Sequence, residues 1–248
     1  MTSAARVGTA DAAMLGAARA ALGTVRDPEL DEPITDLGFV TGCAVDGGHV
    51  EVRLRLPTAF CAPNFAYLMT SDAYDAVAAV PGVRSLEVRL EDHHDAERIN
   101  AGVAAQAGFV GTYGKEASAE LDELRMVFRR KAHIACLERA SRHLLAAGWE
   151  MADLPTATLH DLPEPDLSSL RRRRADIGLS TDGDALLLVD EAGVPIAPQD
   201  VSVRLRFART VRVSIEGNSQ FCRGLLTTRY PQSAADQRPH GEGEEATV

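Results

Sequence analysis

Cys61 stands in the setting where a thiol is best placed to do chemistry. It lies in Pro57-Thr58-Ala59-Phe60-Cys61-Ala62-Pro63-Asn64, after an alternating segment at 49–56 and before a helical run at 64–80. At such a strand-to-helix junction the first backbone N–H groups of the helix lack partners and the dipole is positive. That environment favours thiolate, and with it a nucleophile or a metal ligand. The competing reading is a small apolar residue in a core, the usual lot of a free cysteine. A second candidate is His93-His94, flanked by Asp92 and Asp95. Adjacent histidines among carboxylates suit a transition metal, although neighbours on a strand point to opposite faces. His133, Cys136 and His143 share a helical face, which fits core packing better than a metal site.

The totals bound the class. The chain has 248 residues, 45% hydrophobic and 25% charged, as in ordinary globular proteins. A formal net charge of -10 argues against a nucleic-acid or anionic-membrane partner. Four single cysteines, with no CxxC pair, form neither a disulfide framework nor a zinc ribbon, and fit a reducing cytoplasm. No stretch reaches the apolar length of a membrane span, and the first ten residues lack the order of a signal peptide.

The elements that must position Cys61 follow from periodicity. Residues 11–25 read as a helix with Leu15, Ala18, Leu22 and Val25 on one face, ended by Asp27-Pro28. A strand begins in 37–40 and turns at Asp46-Gly47-Gly48. The next strand alternates strictly, with Val50, Val52, Leu54 and Leu56 inward. A helix and a third strand, with Val83 or Leu86, Val88 and Leu90 as its apolar set, complete an α-β-β-α-β unit. Beyond it, 96–108 reads as a short helix, 108–114 as a glycine-rich turn and 118–147 as a long helix. Residues 155–165 read as a proline-punctuated linker, and Arg171 to Arg174 as a solvated basic helix face. An apolar segment at 185–189 before a turn, with alternation at 201–207 and 211–215, predicts a small antiparallel sheet, and the polar stretch from 232 a disordered tail. The expected class is α+β: an N-terminal domain at 11–92, helices at 93–150, a linker at 151–183, a β extension at 184–231 and a tail at 232–248.

Taken in order, Asp27-Pro28-Glu29-Leu30, Asp36-Leu37-Gly38-Phe39-Val40, Thr58 with Cys61, and Pro81-Gly82-Val83 resemble the PaaD/SufT-like metal–sulfur cluster assembly domain family. The resemblance covers about residues 11 to 92. It implies a small α+β fold and a role in maturing iron–sulfur or related metalloproteins. The family's T-x-x-C-P cysteine maps onto Cys61, with Ala62 inserted before Pro63; its DPE and DLG elements map onto Asp27-Pro28-Glu29 and Asp36-Leu37-Gly38. His93-His94 stand near the place where the family usually carries a tryptophan.

On this resemblance the site candidates for cluster or metal transfer are Cys61, Asp27, Glu29, Asp36 and Thr58, with His93 and His94 as further metal candidates. Cys61 offers one soft ligand and the acidic loop several hard ones, whereas a cluster takes about four cysteine-type ligands. A cluster, or iron, would therefore be held transiently, or bridged to a second chain or a client. Asp27 and Asp36 also suit plain turn and loop capping. The expected function is a non-enzymatic, cytoplasmic accessory factor for metallocentre assembly, serving a client metalloprotein. Family members associated with multicomponent oxygenases point to an iron-dependent oxygenase component as that client, and a homodimer is compatible. The alternative is a scaffold binding an oxygenase component, with Cys61 structural. A thiol enzyme using His49 or His133 as base ranks last, because nothing in the sequence places a histidine beside Cys61.

Overall fold

A computed structural model describes residues 3–117 and 119–231. The tail expected at 232–248 lies outside the described residues. The chain forms two compact units. One is built by the chain up to Asp27, by Glu32–Ala119 and by the stretch starting at Gln220; the other is built by Pro28–Asp31 and Glu120–Ser219.

The first unit has the α-β-β-α-β order read from the sequence. Helix α1, Ser3–Leu22, buries Ala18 and Leu22 completely. The following loop inserts Val25, Ile34, Leu37 and Phe39 into the core, which fixes its path by burial rather than by secondary structure. Strand β1, Val40–Asp46, and strand β2, His49–Arg55, form an antiparallel hairpin. Its turn holds Gly47 at φ 52° and Gly48 at φ 88°, left-handed values that only glycine adopts at little cost. On β2 the alternation is realised as expected: Val50, Val52 and Leu54 are buried, while His49 and Arg53 face water.

Helix α2, Pro63–Ala78, follows, with Pro63 at its first turn, where the missing N–H costs nothing. Ala66, Met69, Ala73 and Val77 carry its buried stripe. The helix is the crossover that lets strand β3, Ser85–Glu91, run parallel to β2. β2 is central, in the order β1-β2-β3. Helix α3, Ala96–Ala104, packs on β3, where the Asn100 amide pairs with both the N–H and the C=O of Leu90 at 2.8 and 3.0 Å. The glycine-rich stretch expected as a turn is a short helix, α4, Gly108–Tyr113. Packing overrides composition here: Phe109 meets Tyr67 edge to face at 5.5 Å, and Tyr113 is buried. Gly102 makes this possible, since a Cβ there would fall 2.0 Å from Thr112 Oγ1.

The second unit is helical, with its core on α5, Asp122–Ala146. Cys136, Leu137, Ala140 and Leu144 from α5 meet Leu170 of α6, Asp166–Asp176, and Val201 and Leu205 of α7, Val201–Arg229. The proline-punctuated stretch expected as a linker packs into this core through Leu154, Ala157, Leu159 and Leu162, winding through two 3-10 turns. The expected solvated basic face is corrected as well. Arg173 and Arg174 are buried, Arg174 at 1% exposure with hydrogen bonds to the carbonyls of Ser180, Leu186 and Leu187.

The C-terminal antiparallel sheet is absent among the described residues. The segment 185–189 makes only isolated bridges, Thr158 with Leu186 and Val189 with Pro195, and 201–215 is part of α7. The reason is a period that fits two structures. Val201 and Leu205 satisfy both alternation and a helical stripe, but the helix adds buried Ala208 and leaves Val203, Phe207 and Val213 more than half exposed.

Candidate functional site

Cys61 is half-buried on the loop between β2 and α2, two residues before Pro63. Its Sγ lies 3.5 Å from Thr58 Oγ1, which accepts the Phe60 N–H at 3.1 Å. The Phe60 ring projects into solvent at 80% exposure. Thus a thiol and a bare aromatic ring share one loop tip.

Two histidines hold that loop from below. Strand β3 ends at Glu91, and Asp92 turns left-handed at φ 53°, which breaks the alternation expected to send His93 and His94 apart. Both rings therefore reach the same loop. His93 is buried, and its Nδ1 accepts the Asp95 N–H at 3.1 Å; the proton of the neutral ring then sits on Nε2, which donates to the Cys61 carbonyl at 2.7 Å. Burial pushes the His93 imidazole below its ordinary value, opposed in part by this bond to Cys61, so the neutral form is favoured. His94 donates from Nδ1 to the Ala59 carbonyl at 2.8 Å, and its backbone N–H reaches the same oxygen at 3.0 Å. Its ring stacks on Phe60 with centroids 5.7 Å apart. The pair are backbone clamps: three of the four ring nitrogens expected as metal donors are committed to the carbonyls of Ala59 and Cys61 and to the N–H of Asp95, while His94 Nε2 stands 3.8 Å from Asp95 Oδ2.

The remaining candidates are placed differently. Asp27 is buried and its N–H donates to the Glu32 carbonyl at 3.0 Å. Glu29 belongs to the second unit, where it accepts from Asn218 Nδ2 at 3.2 Å. Asp36 is exposed and accepts from Thr35 Oγ1 at 3.2 Å, while its carbonyl takes a 2.7 Å bond from Arg223. Neighbouring acids in the same loop are also engaged, Glu32 by Arg223 and Asp31 by Arg173. Among the described residues no three His, Cys, Asp or Glu side chains gather to hold a metal ion. The structure thus brings Thr58, Cys61, His93 and His94 together; the acidic loop is largely occupied by its own hydrogen bonds and ion pairs. His133 and Cys136 are core residues, as the packing reading expected, and His143 pairs with Asp166.

Phe60 is the site residue that pattern reading missed. A large aromatic one position before the thiol, outside any apolar period, was the available signal.

Removing the His93 clamp tests the arrangement. His93→Phe keeps a ring but loses the donor to Cys61. With a hydrogen bond worth about 1 kcal/mol, loop opening, and so alkylation of Cys61, should rise about fivefold in mass-spectrometric thiol mapping, with Cys43 unchanged. Equal Cys61 rates in both proteins would show that His93 does not restrain the loop.

Together, a three-stranded sheet flanked by helices and a semi-exposed cysteine on the loop after β2 make a small α+β domain. Residues 16–90 match the family model for iron–sulfur cluster assembly protein, and the N-terminal domain of this chain belongs to that family. The chain is 39% identical over 92 residues to the iron–sulfur cluster carrier protein of Mycobacterium bovis, covering 37% of this chain and 24% of that protein. It is 38% identical over 79 residues to the carrier protein of Mycobacterium leprae, covering 32% and 20%. It is also 35% identical over 81 residues to an uncharacterized protein of Methanocaldococcus jannaschii, covering 32% of this chain and 83% of that one. The chain thus spans about a quarter of the length of the M. bovis carrier protein. No solved structure matches it.

Proposed function

We propose that this protein is a non-catalytic accessory factor for assembling iron–sulfur or other metallocentres, in which Cys61 is the thiol that contacts the metal cargo. The observation that carries the reading is Cys61 itself, semi-exposed on a loop held by His93 and His94 with Phe60 bare beside it. Family membership and the names of the mycobacterial relatives support it. One thiolate per chain falls short of the roughly four ligands a cluster takes, so the cargo is held only in passing, shared with a second copy or with the recipient. The recipient is a metalloprotein of the cytoplasm, and a component of an iron-dependent oxygenase is the client that the family resemblance favours. A second reading, a scaffold that docks such a component with Cys61 as packing, draws on the same exposed Phe60.

Anaerobic reconstitution with iron and sulfide separates the two. Wild type should gain thiolate-to-iron absorbance and bound iron, and Cys61→Ala should lose most of both, by about tenfold or more, since the thiolate is the soft ligand. Equal uptake by both proteins, or none by either, sinks the cargo reading and leaves the scaffold.

A further inference from the structure

The second unit carries a groove of about 600 Å³ between α5 and α7 that the assembly reading does not use. Its size falls within the small-molecule range of about 300–1,000 Å³. Four arginines line it, Arg142 from α5 and Arg206, Arg209 and Arg212 from α7, against one carboxylate, Glu138. Arg212 is already neutralised, bonded to both Glu138 and Glu216. Arg142, Arg206 and Arg209 have no hydrogen bond or ion pair from their guanidinium groups among the described residues. The groove also has apolar wall, supplied by Leu145 and Leu205.

Three uncompensated guanidinium groups around one concavity are not the default in a chain of formal net charge -10. Like charges brought together repel, and an anion relieves that repulsion. Their planar, bidentate donors match phosphate oxygens better than a lysine cluster would. A single carboxylate has too little charge and too few oxygens for three such groups, whereas a diphosphate supplies both. The apolar wall suits a planar or hydrophobic body attached to that anion. The charges gather around one open groove, on exposed side chains, rather than forming the long stripe that follows a nucleic-acid backbone.

We propose that this groove binds a small organic phosphate, with its phosphate groups on Arg142, Arg206 and Arg209 and its apolar body against Leu145 and Leu205. The site is independent of Cys61 and of the metal cargo.

Isothermal titration of the full chain tests it, with inorganic pyrophosphate and adenosine diphosphate as probes. Both should bind, adenosine diphosphate about fivefold or more tighter because its body adds apolar contact. Raising salt from about 50 to about 200 mM should weaken both, as screening requires. R206A/R209A should lose about tenfold or more in affinity, while R172A, on the exposed face of α6, leaves binding unchanged. Circular dichroism and Trp149 fluorescence confirm that the double variant is folded. Absence of binding by both probes at millimolar concentration overturns the proposal, as does equal binding by a folded R206A/R209A. Pyrophosphate matching adenosine diphosphate overturns the role of the apolar wall. Binding of a single-stranded oligonucleotide with neither phosphate probe bound would assign the arginines to a nucleic acid instead.

Discussion

Asp31→Ala is expected to lower the stability of the helical unit by about 3–4 kcal/mol, the range for breaking a buried ion pair from one side. Asp31 sits in the loop that follows the DPE element and belongs to the second unit. Its carboxylate meets the Arg173 guanidinium, whose Nε donates at 2.6 Å, with side chains only 6% and 15% exposed for Arg173 and Asp31. Removing the acid leaves a buried cation with one remaining bond, from Nη1 to the Ser169 carbonyl. Alanine also has to adopt φ 54°, where aspartate is the better tolerated residue, which accounts for about 1 kcal/mol of the loss. Asp31→Asn keeps that tolerance and loses the charge, so it should cost about 2–3 kcal/mol. R173M combined with D31N should recover much of the deficit, because no unpaired charge then remains buried. Trp149 is the chain's only tryptophan and packs on this core, so urea unfolding followed by its emission reads this unit directly. A midpoint shift below about 0.5 kcal/mol for Asp31→Ala would place the pair among ordinary surface contacts.

The second large effect is acid sensitivity from His133. Its ring is 1% exposed, and neither nitrogen has a hydrogen-bond partner. Burial, reinforced by the charge of Arg174 and opposed by Glu191, lowers its pKa from 6.5 to about 4. The folded state therefore binds this proton less readily than the unfolded chain. The contribution of the neutral ring is complete above the unfolded value, near pH 6.5, and is lost as pH falls toward 4. Linkage puts the loss at about 2 kcal/mol at pH 5 and about 3 kcal/mol below pH 4. His133→Leu removes both the titration and two unpaired nitrogens. It should raise stability at pH 7 by about 1 kcal/mol and flatten its decline toward pH 5. Trp149-monitored urea midpoints at the two pH values measure both. A variant that declines as steeply as wild type would show that other groups carry the acid response.

Where sequence patterns had one solution, they predicted the structure well. The β1–β2 hairpin followed from alternation plus Asp46-Gly47-Gly48, and α2 from a stripe that no strand could bury. The α+β class and the family resemblance of the N-terminal third followed from such elements. Where a segment fitted two periods, the pattern misled. Val201, Val203, Leu205 and Phe207 alternate, yet the decisive residue is Ala208, too small to register as a core position by type. The burial of Arg174 had no local sign, because its partners are backbone carbonyls six to thirteen residues away. In the site, Thr58 and Cys61 were singled out together by the family resemblance, and the structure sets their side chains 3.5 Å apart. The clamping role of His93 and His94 was not, since it depends on the left-handed turn at Asp92, which a histidine pair beside acids does not reveal.

The Asn100 amide on β3 has a consequence for association. A three-stranded sheet exposes two outer rows of N–H and C=O groups, each a template on which a foreign strand can add. At Leu90 that row is closed, because Asn100 supplies in one side chain the donor and acceptor that an incoming strand would offer. Glu87, Arg89 and Glu91 further along β3 add charges that oppose flat stacking. The β3 edge, whose strand leads directly into the His93–His94 clamp on the Cys61 loop, is in this way guarded against self-templated growth.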